Sequence, residues 1–454
     1  MSGERVLVIG GNAAGMTAAS RAKRLDPSLN VTVLDAGRYV AYSICGVPYF
    51  LAGLVPKLSE LQLFTPDRLM NERGIEARTS CRAVEISASR RDVRTVDSIT
   101  GAPAAFRFDR LLVATGYRPK RPEIEGLDGP DVFTASRLDD AEEMEKKLAS
   151  GSCSRAVIVG GGYVGLELAD ALLSRGLEVT LVEASSQVMS ALDPDMATSV
   201  SQELERGGVR VLTGRRVRRI ARTASGGVEA VEVGPGSLRL PADLVFVDVG
   251  VEPSVELARS SGIALGASGA IAVDAHLETN LPGIFAAGNC AETRHLVSGA
   301  PTSFPLGTVA AKQGRVAGEN LAGGRSRFAG AIGTSIVKVL GVMAARTGLN
   351  RTEAAAAGYQ TVESVIDGRF RASYFDPGAK ARVKVLACRS SGRLLGAQIV
   401  GSEEGAVSID VAATAITAGM SVADASQLDL GYAPPAGALW HPLLIALNTL
   451  AREL

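Results

Sequence analysis

The amino-acid sequence predicts an α/β protein: two Rossmann-like domains, one inserted in the other, followed by a smaller α+β domain. Three observations carry this. One plan, an apolar strand, a glycine-rich turn, an Ala/Leu-rich helix, a second strand and a terminal acid, occurs twice, from Arg5 to Asp35 and from Arg155 to Glu183, and each copy reads as a βαβ unit. Two further strand-plus-turn segments, Leu111 to Gly116 and Leu244 to Gly250, bracket the second copy, as an insertion requires. From Phe328 onward the pattern changes to strands near Thr334 to Leu340, Arg382 to Cys388 and Leu394 to Val400, with a helix from Ile409 to Ala418. The expected partition is 1–117 with 246–325 for the outer domain, 118–245 for the inserted one and 326–454 for the third.

The first unit opens with Val6 to Ile9 and runs through a helix from Ala14 to Leu25 to the strand Val31 to Leu34. Its turn, Gly10-Gly11-Asn12-Ala13-Ala14-Gly15, brings helix N–H groups against a pyrophosphate, and Asp35 is placed to accept from a ribose hydroxyl. Asn12 replaces the middle glycine of the usual fingerprint. The second turn, Gly160-Gly161-Gly162-Tyr163-Val164-Gly165, keeps all three glycines, and Glu183 follows at the spacing of a ribose-binding acid. A carboxylate there repels a 2′-phosphate and no arginine follows in Ala184-Ser185-Ser186, so the reading favours NADH and leaves NADPH open.

The 454 residues carry 48 basic and 48 acidic side chains without a basic run, which argues against a nucleic-acid partner. No stretch of about eighteen apolar residues occurs, so no membrane helix is expected. The segment Met1 to Gly15 reads as a buried strand running into a turn and not as an export signal, which places the protein in the cytoplasm. The five cysteines and three histidines lack metal-ligand spacing, and no metal is expected.

With these residues the chain resembles the FAD-dependent pyridine nucleotide-disulfide oxidoreductases over nearly its whole length. The resemblance extends to Ala114-Thr115-Gly116, Gly250-Val251-Glu252-Pro253, Pro305-Leu306-Gly307-Thr308, Lys312 to Gly318, Gly396 to Gly401 and Tyr432-Ala433-Pro434-Pro435. It also covers Thr279 to Asn289, the second flavin motif, which normally ends Gly-Asp and here ends Gly288-Asn289. The resemblance implies that the first fingerprint holds FAD, the second NADH or NADPH, and that the third domain is a dimerisation domain of a homodimer. Tyr42 to Tyr49 looks like the single-cysteine branch, which contains coenzyme A-disulfide reductases, persulfide reductases, NADH oxidases and NADH peroxidases.

The expected chemistry centres on Cys45, read as lying in the first turn of a helix whose amides stabilise a thiolate beside the flavin. Such a sulfur exchanges with a small disulfide, persulfide or polysulfide without a second protein cysteine. By resemblance, Glu167 lies near the nicotinamide and flavin, Tyr163 covers the nicotinamide pocket, and Tyr432, with Tyr374 as a second candidate, enters the partner's active site to protonate a leaving thiolate. His441 is a candidate acid/base group. Oxidases and peroxidases of the branch carry a histidine where this chain has Ala13, which favours sulfur substrates. The alternatives are an NADH oxidase, a quinone or ferredoxin reductase, and a non-enzymatic redox sensor.

Overall fold

A computed structural model describes residues 3–134, 137–234, 236, 238–375 and 378–454, so Met1 and Ser2 of the N-terminal reading lie outside the described residues. The outer domain is built on five parallel strands in the order Ile284–Ala286, Arg110–Val113, Arg5–Ile9, Asn30–Leu34, Ile75–Arg78. The inserted domain repeats this arrangement with Arg210–Leu212, Glu178–Val182, Arg155–Val159, Leu244–Val247 and Val132–Phe133. Val6 to Ile9 and Ala156 to Val159 are buried throughout, as strands covered on both faces must be. In each sheet the strand that opens the βαβ unit, Arg5–Ile9 or Arg155–Val159, lies in the middle. The chain leaves it to one side and returns on the other, which opens a crevice beyond the carboxyl ends of the strands where ligands of such sheets bind.

The antiparallel pair Tyr117–Pro119 and Val251–Pro253 carries the chain into and out of the insertion. The expected boundary at residue 245 needs correction, because it falls inside the strand Leu244–Val247, which pairs without a break from Ala156↔Leu244 to Val159↔Val247. Glu252 accepts from Arg118 Nε at 2.8 Å.

The third domain is an antiparallel sheet in the order Ser335–Val339, Val342–Gly348, Leu394–Gly401, Lys380–Cys388, Thr361–Arg369. Helices Ile409–Thr417 and Pro442–Leu450 share its core through Ile409, Ile416, Leu443 and Leu447. A buried charge cluster ties it to the inserted domain: Lys384 Nζ lies 3.0 Å from Asp193, 3.0 Å from Asp195 and 3.2 Å from Glu363. Nearby, Arg346 donates to the Ala191 carbonyl at 2.7 Å. The loop that follows Glu183 is thereby clamped to the C-terminal sheet. Among the described residues no helix is long and apolar enough to cross a membrane.

Candidate active site

Gly10 has φ +107°, and a side chain there would collide with the Ala114 carbonyl. Only glycine lets the strand turn so sharply into the helix Ala13–Leu25. Asn12 caps that helix with extended backbone, and its carbonyl accepts from Met16 N–H at 2.8 Å, leaving the amides before Met16 at the open end. Asp35 accepts from Gly11 N–H and Gly37 N–H, each at 2.8 Å; burial raises its pKa against these bonds. Beside the turn, Gly288 N–H donates to Gln313 Oε1 at 2.7 Å. Asn289 Oδ1 and Gln313 Nε2 are buried without a protein partner.

The second fingerprint has the same construction. Gly160 has φ +112°, and a side chain there would collide with the Asp248 carbonyl. Glu183 accepts from Gly161 N–H at 2.7 Å and from Ser185 N–H at 2.6 Å. Arg215 and Arg216 line the same cavity as Glu183. Neither lies in Ala184-Ser185-Ser186, the only stretch in which the sequence reading looked for arginine.

A cavity of about 2660 Å³ gathers much of the expected site: Cys45, Gly160, Gly162, Tyr163, Glu167, Glu183, Gly250, Pro305, Leu306 and Thr308 all line it. Gly10 to Gly15, Asp35, Ala114 to Gly116, Gly288 and Asn289 are not on its wall. Cys45 lies in the 3₁₀ turn Ile44–Gly46, ahead of the five-residue helix Val47–Leu51. Its side chain is exposed and opens onto the cleft. The expected thiolate-stabilising environment is not what these protein groups supply: burial, and then the nearby Glu167 carboxylate, push the thiol up. Glu167 is itself pushed up to about 7, by burial first, with Asp170 and Asp248 adding to it and a hydrogen bond from Tyr49 opposing. Tyr163 covers the same wall and its hydroxyl pairs with Ser335 Oγ at 2.7 Å.

The sequence profile of the pyridine nucleotide-disulphide oxidoreductases matches residues 4–314, and that of their dimerisation domain matches residues 334–442. The chain belongs to this family. It is similar to the NAD(P)H sulfur oxidoreductase (CoA-dependent) of Pyrococcus furiosus, 35% identical over 99% of this chain and 100% of that protein. It is also similar to an NADH oxidase of Methanocaldococcus jannaschii, 32% identical over 99% of each. The structure of a NAD-dependent persulfide reductase from A. fulgidus superposes with a TM-score of 0.95 at 38% identity, covering 99% of this chain and 83% of that one.

As a pyridine nucleotide-disulphide oxidoreductase the protein is an enzyme that uses FAD and NAD(P)H. The residues fit both groups. The buried amide atoms of Asn289 and Gln313, left without protein partners beside the first fingerprint, suit the polar chain of a flavin dinucleotide. Asn289 offers a buried acceptor there without the charge of the usual aspartate.

Two expected residues stand apart from this oxidoreductase's cleft. His441 does not line it; Nδ1 accepts from Leu443 N–H at 3.2 Å as a helix cap, Nε2 lies 3.3 Å from Ser408 Oγ, and the ring meets Phe370 edge-on. Both nitrogens are engaged within the chain, Nδ1 as the cap of the helix Pro442–Leu450. Tyr432 is exposed on the third domain, hydrogen-bonded to the still more exposed Tyr374. Sequence reasoning assigned no role to Tyr49, Tyr117, Asp248 or Gln313. The signal for Asp248 was available: an acid directly after the apolar run Leu244 to Val247, at the strand end where such sheets hold ligands.

Proposed function

We propose that this enzyme reduces a small disulfide, persulfide or polysulfide with electrons from NAD(P)H, and that Cys45 is the sulfur that exchanges with the substrate. One observation carries the reading: among the described residues Cys45 is the only cysteine lining the large cavity, and it faces a glutamic acid that titrates near neutrality. Glu167 takes the Cys45 proton, and the thiolate attacks the substrate S–S bond. A Cys45–substrate disulfide forms, and the other sulfur leaves and is protonated. Two electrons from NAD(P)H then break that disulfide, releasing the second thiol and restoring Cys45. Bound FAD supplies the two-electron relay. The first fingerprint with Asp35, Ala114, Thr115, Gly116, Gly288 and Asn289 holds FAD; the second with Tyr163, Glu183 and Gly250 holds the nicotinamide dinucleotide.

The enzyme works as a homodimer in which Tyr432 reaches the cleft of the partner and protonates the leaving thiolate. The dimerisation profile and the exposure of Tyr374, Phe375, Tyr432, Leu439 and Trp440 support this. Its free cysteines suit the reducing cytoplasm. Both NADH and NADPH serve as donors, Glu183 meeting the ribose and Arg215 and Arg216 offsetting its charge. The Methanocaldococcus relative gives an oxidase as the second reading; Ala13 in place of the oxidase histidine disfavours it.

Anaerobic stopped-flow mixing with NADH, followed by coenzyme A disulfide, cystine and polysulfide in turn, tests the assignment. Cys45→Ser is expected to keep NADH-driven bleaching of the flavin while losing on the order of 10³-fold in sulfur-substrate turnover. Full turnover by that variant would sink the cysteine mechanism, and oxygen uptake faster than any sulfur turnover would favour the oxidase.

A further inference from the structure

The two fingerprints share one construction and differ by a charge at one equivalent position. In each, the first glycine of the turn is packed against a backbone carbonyl at the end of the returning strand, that of Ala114 for Gly10 and that of Asp248 for Gly160. Ala114 directly follows the strand Arg110–Val113, and Asp248 directly follows Leu244–Val247. Both therefore stand where the strand order reverses, beside the helix that receives a dinucleotide pyrophosphate. At the first site this position offers a methyl group. At the second it offers a carboxylate.

That carboxylate is aimed at the phosphate-binding end. Asp248 Oδ2 accepts from Gly165 N–H at 3.1 Å, inside the first turn of the 12-residue helix Tyr163–Ser174. A Cβ on Gly162 would lie 3.5 Å from the same oxygen, and Asp248 lines the cavity together with Gly160, Gly161, Gly162 and Gly250. The amide end of a helix attracts an anion through its unpaired N–H groups and its dipole. Here a protein carboxylate already takes one of those groups and would set its charge beside a bound pyrophosphate; burial opposes that charge, and the Gly165 and Gly250 N–H groups support it.

We propose that Asp248 is an internal anion that holds down the affinity of the second fingerprint for NAD(P)H and NAD(P)⁺, so that the oxidised dinucleotide leaves readily. The inference rests on the second fingerprint being the nicotinamide dinucleotide site. It accounts for the asymmetry between the two copies: the cofactor that stays bound meets a methyl group, and the one that exchanges every turnover meets an acid.

The test uses the full-length, FAD-loaded enzyme. Binding of NAD⁺, which leaves the oxidised flavin unchanged, is titrated by calorimetry in wild type, Asp248→Asn and Asp248→Ala at low and high salt. The KM for NADH is measured alongside. Both variants are expected to bind NAD⁺ on the order of tenfold tighter at low salt, with the gain shrinking as salt screens the repulsion. The NADH KM falls in parallel. A damaged fold would instead weaken binding, and Asp248→Asn, which keeps an acceptor for Gly165 N–H, carries the test should the alanine variant lose FAD. Equal or weaker binding by Asp248→Asn overturns the proposal alone, whereas a wild-type enzyme that binds neither NAD⁺ nor NADH overturns the site assignment and the proposal with it.

Discussion

The hydroxyl of Tyr49 favours the ionised form of the Glu167 carboxyl, beside the cleft into which Cys45 opens. Burial outweighs that effect and leaves Glu167 titrating at about 7. A base that collects the Cys45 proton must be ionised, so kcat/KM for the sulfur substrate is expected to rise with pH through a midpoint near 7. Glu167→Gln removes that limb and costs on the order of 10²-fold at pH 8. A pH–rate profile of the two proteins checks this; an unchanged limb in the variant would assign it to another group.

The same shift has a stability consequence of definite sign. Glu167 is raised in the folded state from an ordinary 4.5 to about 7. Between those values the folded protein holds a proton that the unfolded chain releases, so stability falls as pH rises through this window. Glu167→Gln is therefore expected to stabilise the protein at pH 8 by about 1–3 kcal/mol after allowance for partial solvation. The gain fades as pH drops toward 5. Thermal unfolding at the two pH values measures the difference, and a variant less stable at pH 8 contradicts it.

Lys384 is fully buried, and burial alone would lower its pKa; the carboxylates of Asp193, Asp195 and Glu363 overcome this and raise it. Asp193 is equally buried and also accepts from Gln398 Nε2 at 2.9 Å. Lys384→Met removes the cation and strands Asp193, which is expected to cost about 3–5 kcal/mol. Asp193 borders the loop that carries Glu183, so NADH binding weakens as well. Calorimetric unfolding with an NADH titration reads both effects.

Both βαβ units were legible because their signals are local: apolar runs at strand length, glycines at fixed spacing and a terminal acid. The family segment likewise placed Cys45 on the cavity wall. The sequence did not show what surrounds that sulfur, because Glu167 reaches it from a helix more than a hundred residues away and burial is a tertiary property. The surroundings of His441 were hidden for a related reason. A histidine before proline reads equally as an acid/base group or a cap, and only the fold supplies Leu443 N–H, Ser408 and Phe370 as its partners. Asp248 is visible in the sequence as an acid at a strand end, but its contrast with Ala114 emerges only when the two turns are compared in space.

Gly10 and Gly160 permit separate tests of the two dinucleotide sites. Each has positive φ and a carbonyl where a side chain would go. Gly10→Ala is expected to yield protein without bound flavin. Gly160→Ala is expected to remain yellow while its KM for NADH rises by more than tenfold, since strain and displacement of the turn both act on the helix amides. Visible spectra of the purified variants, followed by NADH titration, read the two outcomes. Flavin loss from Gly160→Ala would show that the domains are not independent in this respect.

The exposed apolar surface of the third domain supports a test of assembly. Tyr374 is hydrogen-bonded to Tyr432, Ala372 N–H donates to the Pro434 carbonyl at 3.4 Å, and Leu439 and Trp440 follow a few residues on, 72% and 68% exposed. Side chains of this size left in water mark a surface that another chain covers. Replacing Leu439 and Trp440 with glutamate together places two charges on that surface and is expected to convert a dimer into a monomer by light scattering. Because neither residue lines the cavity, NADH-driven flavin bleaching continues in the monomer, while sulfur-substrate turnover falls about 10²-fold with loss of the partner's Tyr432. Tyr432→Phe in the intact dimer should reproduce the turnover loss without the change in mass. A monomeric variant with full turnover would show that each cleft works alone.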